Sequence, residues 1–163
     1  MERKVKLLNG TVDVALRLLA IMSTCRTKMS EDRISIYSYF AIHFSDLRSN
    51  ETSAHPDIPF RNSGYMKSKE VISDAINILM SRGLVDCDFS NKEITYYATE
   101  TGCALYEQVE GEYKKLLVEN IIKVHHSLQS MSDMQLSNIV SQNLQNWGSE
   151  FKYESILKDE VYE

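Results

Sequence analysis

Residues 11–25, "TVDVALRLLAIMSTC", place apolar side chains so densely that no continuous polar face survives. Asn9 or Thr11 can cap a helix here, running to about Cys25. Val12, Leu16 and Leu19 make one stripe, and Leu18, Ile21 and Met22 cover most of the remaining surface. A helix apolar on nearly every side is a buried helix, so this one is expected at the centre of the fold. Ser30 with Glu31 and Asp32 opens a second helix, the acidic pair lying against the positive end of its dipole. Ile36, Tyr37, Phe40, Ala41 and Phe44 give that helix one apolar face.

A polar connection of roughly residues 47–65 follows and holds both prolines, Pro56 and Pro59. The spacing of Ile72, Ala75, Ile76, Leu79 and Met80 predicts a third helix, from about Met66 or Lys67 to Arg82. Gly83 stops it, as a glycine just past a helix end does. Leu84, Val85, Cys87 and Phe89 predict a short strand, Ile94, Tyr96 and Ala98 another, with "SNKE" as the turn between them. Thr99 caps a further helix through "HH" at 125–126, with a bend at Gly111, and a final helix spans about Ser132 to Trp147. Two helices, a loop, a third helix, a hairpin and another helix is the order of a winged helix, with the hairpin as its wing. The expected fold is therefore mainly α (α+β). A winged-helix domain with a two-stranded wing fills residues 1–125, and residues 126–163 form a C-terminal helical extension with a frayed acidic tail.

Composition changes this picture little. At 18.8 kDa, with 43% hydrophobic and 25% charged residues, the chain can bury a core without staples. Cys25, Cys87 and Cys103 are widely spaced without a CxxC pair, so buried, reduced thiols in a cytosolic protein are expected. Asp13 and Arg17 interrupt the first apolar stretch too early for a signal peptide or a membrane span, which also points to the cytoplasm.

Charge narrows the function. The net charge of −5 argues against a protein that coats nucleic acid. Residues 1–65 hold nine Lys/Arg against seven Asp/Glu, whereas residues 106–163 hold five against ten, so an acidic end would repel DNA. On the third helix and the wing, Lys67, Lys69, Arg82 and Lys92 are the candidates for DNA contact. Glu70, Asp74, Asp86, Asp88 and Glu93 offset them and leave little counterion release to drive binding. A missing basic stripe suits a winged helix used for protein docking.

Signatures of catalysis are missing too. The chain has no G-x-S-x-G, no phosphate-binding glycine loop, no HExxH and no Cys/His cluster, so no enzyme, metal or cofactor role is expected. His125 and His126, adjacent on a helix, point about 100° apart and do not share a metal easily. His43 reads as a satisfied core histidine.

Two stretches look built for partners. In "SAHPDIPFRNSG" the prolines stiffen a loop that carries His55, Asp57 and Arg61, and a pre-set loop loses less entropy on docking. Arg61 suits a bidentate carboxylate, although an Asp57–Arg61 pair within the monomer is the alternative. Met134, Ile139 and Trp147 lie on a final-helix face longer than a small winged-helix core requires. That face either covers the chain's own core or meets a second subunit.

The run "HPDIPFRNSGYMKSKEVISDAINILMSRGLVDCDFSNKEITYYATETG" resembles the small middle component of three-component ABC-ATPase systems, the group that includes Lamassu-type prokaryotic defence. The shared pattern is an HPD–P–R loop, a helix ending in "LMSRGL", a hairpin ending in "Y-x-A-T", and a helix; with "DVALRLLAIM" upstream it covers roughly residues 9–125. After the loop arginine this chain has "NSGYM" in place of a paired glycine and acidic residue. The resemblance implies a non-enzymatic adaptor that bridges an SMC-like coiled-coil ATPase and an effector, often a nuclease. It implies that the adaptor helps hold the effector inactive until foreign DNA is sensed, with DNA met mainly through the complex and no membrane involved. Carried onto this chain, the loop motif falls on His55, Asp57 and Arg61. The competing reading is a winged-helix transcription regulator, which would need a dimer with two basic recognition helices.

Overall fold

The computed structural model describes residues 10–44 and 61–142, with only the backbone described at 61–68 and 70. Six helices and three short strands form these residues: α1 (Thr11–Cys25), β1 (Met29–Ser30), α2 (Glu31–Ile42), α3 (Arg61–Ser81), β2 (Val85–Asp88), β3 (Thr95–Ala98), α4 (Glu100–Glu107), α5 (Glu112–Leu128) and α6 (133–142). The whole is a mainly helical α+β arrangement. As its apolar surface demands, α1 lies at the centre, packed by α2, α3, α4, α5 and β3. Leu18, Leu19, Ala20 and Ile21 are completely buried there. Around them close Ile34 and Phe40 of α2, Ile72 and Ile76 of α3, and Ile121 and Val124 of α5.

Local chemistry sets the element ends. Ser30 caps α2 by accepting a hydrogen bond from the Arg33 backbone amide (3.2 Å), and Glu31 and Asp32 occupy the first turn. α3 ends in a Schellman motif at Gly83, whose φ of 69° is left-handed. There the Gly83 amide bonds the Met80 carbonyl and the Leu84 amide bonds the Leu79 carbonyl, each at 3.0 Å. Thr99 does double duty: its hydroxyl donates to the Gly83 carbonyl (2.7 Å) and accepts from the Gly102 amide (3.1 Å). It thereby ties the end of α3 to the start of α4. Gly102 is needed where it stands, because a Cβ there would lie 2.0 Å from the Leu84 carbonyl oxygen.

The structure differs from the sequence-based expectation in several places. Gly10, not Asn9 or Thr11, stands at the cap of α1 and makes no side-chain hydrogen bond, and Val12 and Leu16 of its apolar stripe are exposed. Phe89 and Ile94 lie just outside the strands and are exposed. The hairpin is not a two-stranded wing alone: β1 adds to it in an antiparallel sheet of order β1–β3–β2, with Met29 opposite Tyr96. A two-residue strand is too short to show an alternating pattern. Arg61 is the first residue of α3, not part of the loop, and the helix begins about a turn earlier than its apolar spacing indicates. The residues 61–65 contain no proline and carry no apolar periodicity to announce the helix. The helix expected to bend at Gly111 is divided into α4 and α5, with Gly111 (φ 130°) preceding α5. The three thiols are free and half-buried, not fully buried.

Candidate functional site

A cleft of about 220 Å³ opens where α1, the α4–α5 turn and α5 meet. Leu16 and Arg17 of α1, Tyr106 of α4, Val109 of the turn, and Tyr113 and Leu117 of α5 form its mainly apolar wall. Asp13, Glu110 and Lys114 complete it. Arg17 is the unusual member. It is only 3% exposed in the middle of the central helix α1. Its Nε donates to Ser38 Oγ (2.9 Å), but its Nη2 is buried without a hydrogen-bond partner. Burial pushes the guanidinium pKa down, while Tyr113 and Asp13 counter this by long-range attraction. An arginine stays charged under such conditions, so the site holds a desolvated cation without a paired carboxylate. Beside it, Lys114 Nζ donates to the carbonyls of Tyr106 (2.9 Å) and Glu107 (3.2 Å) and lies over the Tyr106 ring. That lysine closes the C-terminal end of α4, where a cation meets the negative dipole end.

Arg17 carried a signal in the sequence: a lone arginine in a helix that is apolar nearly all round. Its local context marks it only as an interruption of a membrane-like stretch and assigns it no chemical role.

The residues singled out from the sequence are spread over the molecule. His55, Asp57 and Trp147 lie outside the described residues. Arg61 and Lys67 are placed on α3 by their backbone alone. Lys69 pairs with Asp32 of α2 (3.1 Å), so one of the cations proposed for DNA is engaged within the fold. Arg82 follows α3 and Lys92 sits in the hairpin turn; both are exposed. On α6, Met134 is 76% exposed, Ile139 is half-buried, and Leu136 and Val140 between and beyond them enter the core. The final-helix face is thus divided, part covering the monomer and part open. His125 meets α2, its Nδ1 3.0 Å from the Tyr37 hydroxyl, while His126 is exposed. His43 is buried beside the Tyr39 ring. Among the described residues no group of His, Cys, Asp or Glu is arranged to hold a metal ion. None of their helices is long and apolar enough to cross a membrane.

These features define a small, mainly helical protein with a minor sheet, exposed apolar side chains and, among the described residues, a buried arginine with one nitrogen left without a hydrogen-bond partner. The chain belongs to the family described as ABC-three component (ABC-3C) system Middle Component 2, whose model matches residues 7–150. The match runs beyond α5 and through α6. No curated protein and no solved structure matches the chain. As a middle component it is one part of a system with other subunits.

Proposed function

We propose that this protein is a non-enzymatic adaptor in an SMC-like ABC-ATPase defence complex of the Lamassu kind, acting in the cytoplasm against phage or plasmid DNA. It bridges the coiled-coil ATPase and an effector, often a nuclease in such systems, and helps hold that effector inactive until foreign DNA is sensed. Family membership over residues 7–150 is the observation that carries the reading. The element order α1–β1–α2–α3–β2–β3 is compatible with a winged helix used for docking. Pairing of Lys69 with Asp32 and of Lys28 with Asp88 engages two of the cations near the hairpin and α3 within the fold. A winged helix that bound DNA by itself would need that charge.

The test is co-expression with the ABC-ATPase and effector of such a system, followed by co-purification and a plasmid or phage challenge. A stable complex that loses protection when this subunit is omitted supports the adaptor. If the isolated protein instead forms a tight, sequence-specific complex with duplex DNA at about 150 mM salt, the transcription-regulator reading replaces it.

A further inference from the structure

Exposed apolar side chains gather along the α1–α5 side of the molecule. Leu16 (42%) and, one turn earlier, Val12 (65%) stand on α1; Tyr113 (43%) and, about one turn later, Leu116 (38%) stand on α5. Leu16 and Tyr113 both line the cleft of about 220 Å³ between these helices. A contiguous exposed apolar patch marks a surface that something covers. The charges that reach solvent at its edge are acidic. Asp13 and Glu110 are exposed, whereas Arg17 is buried and Lys114 is engaged by the Tyr106 and Glu107 carbonyls.

Three stretches of the chain lie outside the described residues, and charge separates them. Residues 143–163 carry five Asp/Glu against two Lys, and residues 45–60 carry three Asp/Glu against one Arg. Residues 1–9, "MERKVKLLN", reverse the sign: Arg3, Lys4 and Lys6 stand against Glu2 alone, and Val5, Leu7 and Leu8 supply apolar area. The point of attachment agrees with the charge. Gly10 precedes α1, and a Cβ there would lie 3.6 Å from Asp13 Oδ2, so the segment joins the fold beside the acidic edge. Lys6 is four residues from Gly10, a reach of about 13 Å at about 3.3 Å per residue. The family match begins at residue 7 and so includes Leu7 and Leu8. Exposed ion pairs hold little by themselves, so the charges select the segment and apolar burial holds it.

We propose that residues 1–9 of this chain cover the α1–α5 cleft, with Leu7 and Leu8 against Leu16 and Tyr113 and with Lys4 or Lys6 at Glu110. The proposal goes beyond the adaptor reading and does not depend on it. A partner that used this cleft would first have to displace the segment.

The test is zero-length carbodiimide cross-linking of the full chain, as an equal mixture of ¹⁴N- and ¹⁵N-labelled protein, read by mass spectrometry of its peptides. A link from Lys4 or Lys6 to Glu110 is expected within single chains, its two peptides sharing one isotope. A link to Asp13 decides nothing, because the two are near neighbours in sequence, and is not scored. Leu7→Asp with Leu8→Asp should lower the Glu110 link about tenfold, while the Lys28–Asp88 link, an ion pair within the fold, stays constant as the internal standard. Leu16→Asp, on the exposed side of α1, should lower it equally from the other side of the contact. Because Leu16 is exposed, that variant serves if the double variant does not fold. Absence of the Glu110 link overturns the proposal, as does a yield unchanged by the apolar substitutions. Links of equal yield to Glu100 and Glu119, exposed carboxylates that do not line the cleft, overturn it as well. Isotopically mixed links would make a second copy the occupant and overturn it too.

Discussion

Arg33 and Asp133, a hundred positions apart, form an ion pair of 2.7 Å between Nε and Oδ1 that fastens the start of α6 to the first turn of α2. The same guanidinium donates to the carbonyls of Leu128 and Met131, and Asp133 Oδ2 accepts from the Ser30 hydroxyl (2.7 Å). One arginine therefore collects the loose carbonyls at the end of α5 and the carboxylate that begins α6.

Arg33→Ala is expected to destabilise the protein by about 1–3 kcal/mol, since carbonyls and a carboxylate lose their donor at a half-buried site. Lys cannot replace it in kind, because one ammonium does not fork to three acceptors in a plane. Chemical denaturation measures the loss, and hydrogen exchange should show it first in residues 129–142.

Gly102→Ala tests a steric requirement rather than a bond. The added methyl would meet the Leu84 carbonyl oxygen at 2.0 Å and the Leu19 side chain at 3.1 Å, so α4 must move. A loss of about 3 kcal/mol or more is expected, as for other overpacked backbone contacts. Gly83→Ala makes the control: nothing lies within 4 Å of its Cβ position, and only the left-handed backbone resists, at about 1–2 kcal/mol. Similar melting temperatures for the two variants would refute the close approach.

Those two glycines show what the sequence disclosed and what it hid. The Schellman stop at Gly83 and the caps at Ser30 and Thr99 depend on neighbours a few residues away and were legible, and so was the central place of α1, although Val12 and Leu16 of its apolar stripe remain exposed. β1, the packing of α6 against α2 and the role of Arg17 depend on partners 21 to 103 positions distant. No local pattern encodes such pairings. The division of the "EQVEGEY" stretch into two helices was half legible: Gly111 marked the place, but the marker does not say whether a helix bends or ends there.

Acid should weaken the α2–α5 contact. Burial lowers the His125 pKa, and repulsion by His126 and Arg33 lowers it further. The unfolded chain then binds the proton more readily than the folded one below the ordinary value near 6.5. Stability from the neutral ring is complete above that value and is lost as pH falls through the lowered folded pKa. Protonation also leaves Nδ1 able only to donate to the Tyr37 hydroxyl. His125→Asn should flatten the melting temperature between pH 7 and 5 relative to the unaltered chain.

Cys25 should be the least reactive of the three thiols. Burial pushes its pKa up to about 12, against 9.0 for an ordinary thiol, which leaves about a thousandfold less thiolate at neutral pH. Brief iodoacetamide treatment at pH 8 followed by mass spectrometry should find Cys25 unmodified in the native protein and modified after denaturation. Rapid native labelling would show that α1 opens at its C-terminal end.

The open part of the final-helix face can be tested apart from its buried part. Met134 is 76% exposed and Leu136, two positions on, is 1% exposed. Met134→Glu should leave the melting temperature within a degree or two, because an exposed side chain holds little of the core together. If the face meets a second subunit, the same change places a charge in an apolar contact and should reduce co-purification at least tenfold. Leu136→Ala should behave in the opposite way, destabilising the monomer by about 2–4 kcal/mol. Deleting α6 outright would confuse the two effects, since Leu136 and Val140 belong to the core cluster. Full assembly with Met134→Glu would mean that α6 serves the monomer alone, and the interface would then have to lie on the α1–α5 cleft or among the residues around Asp57.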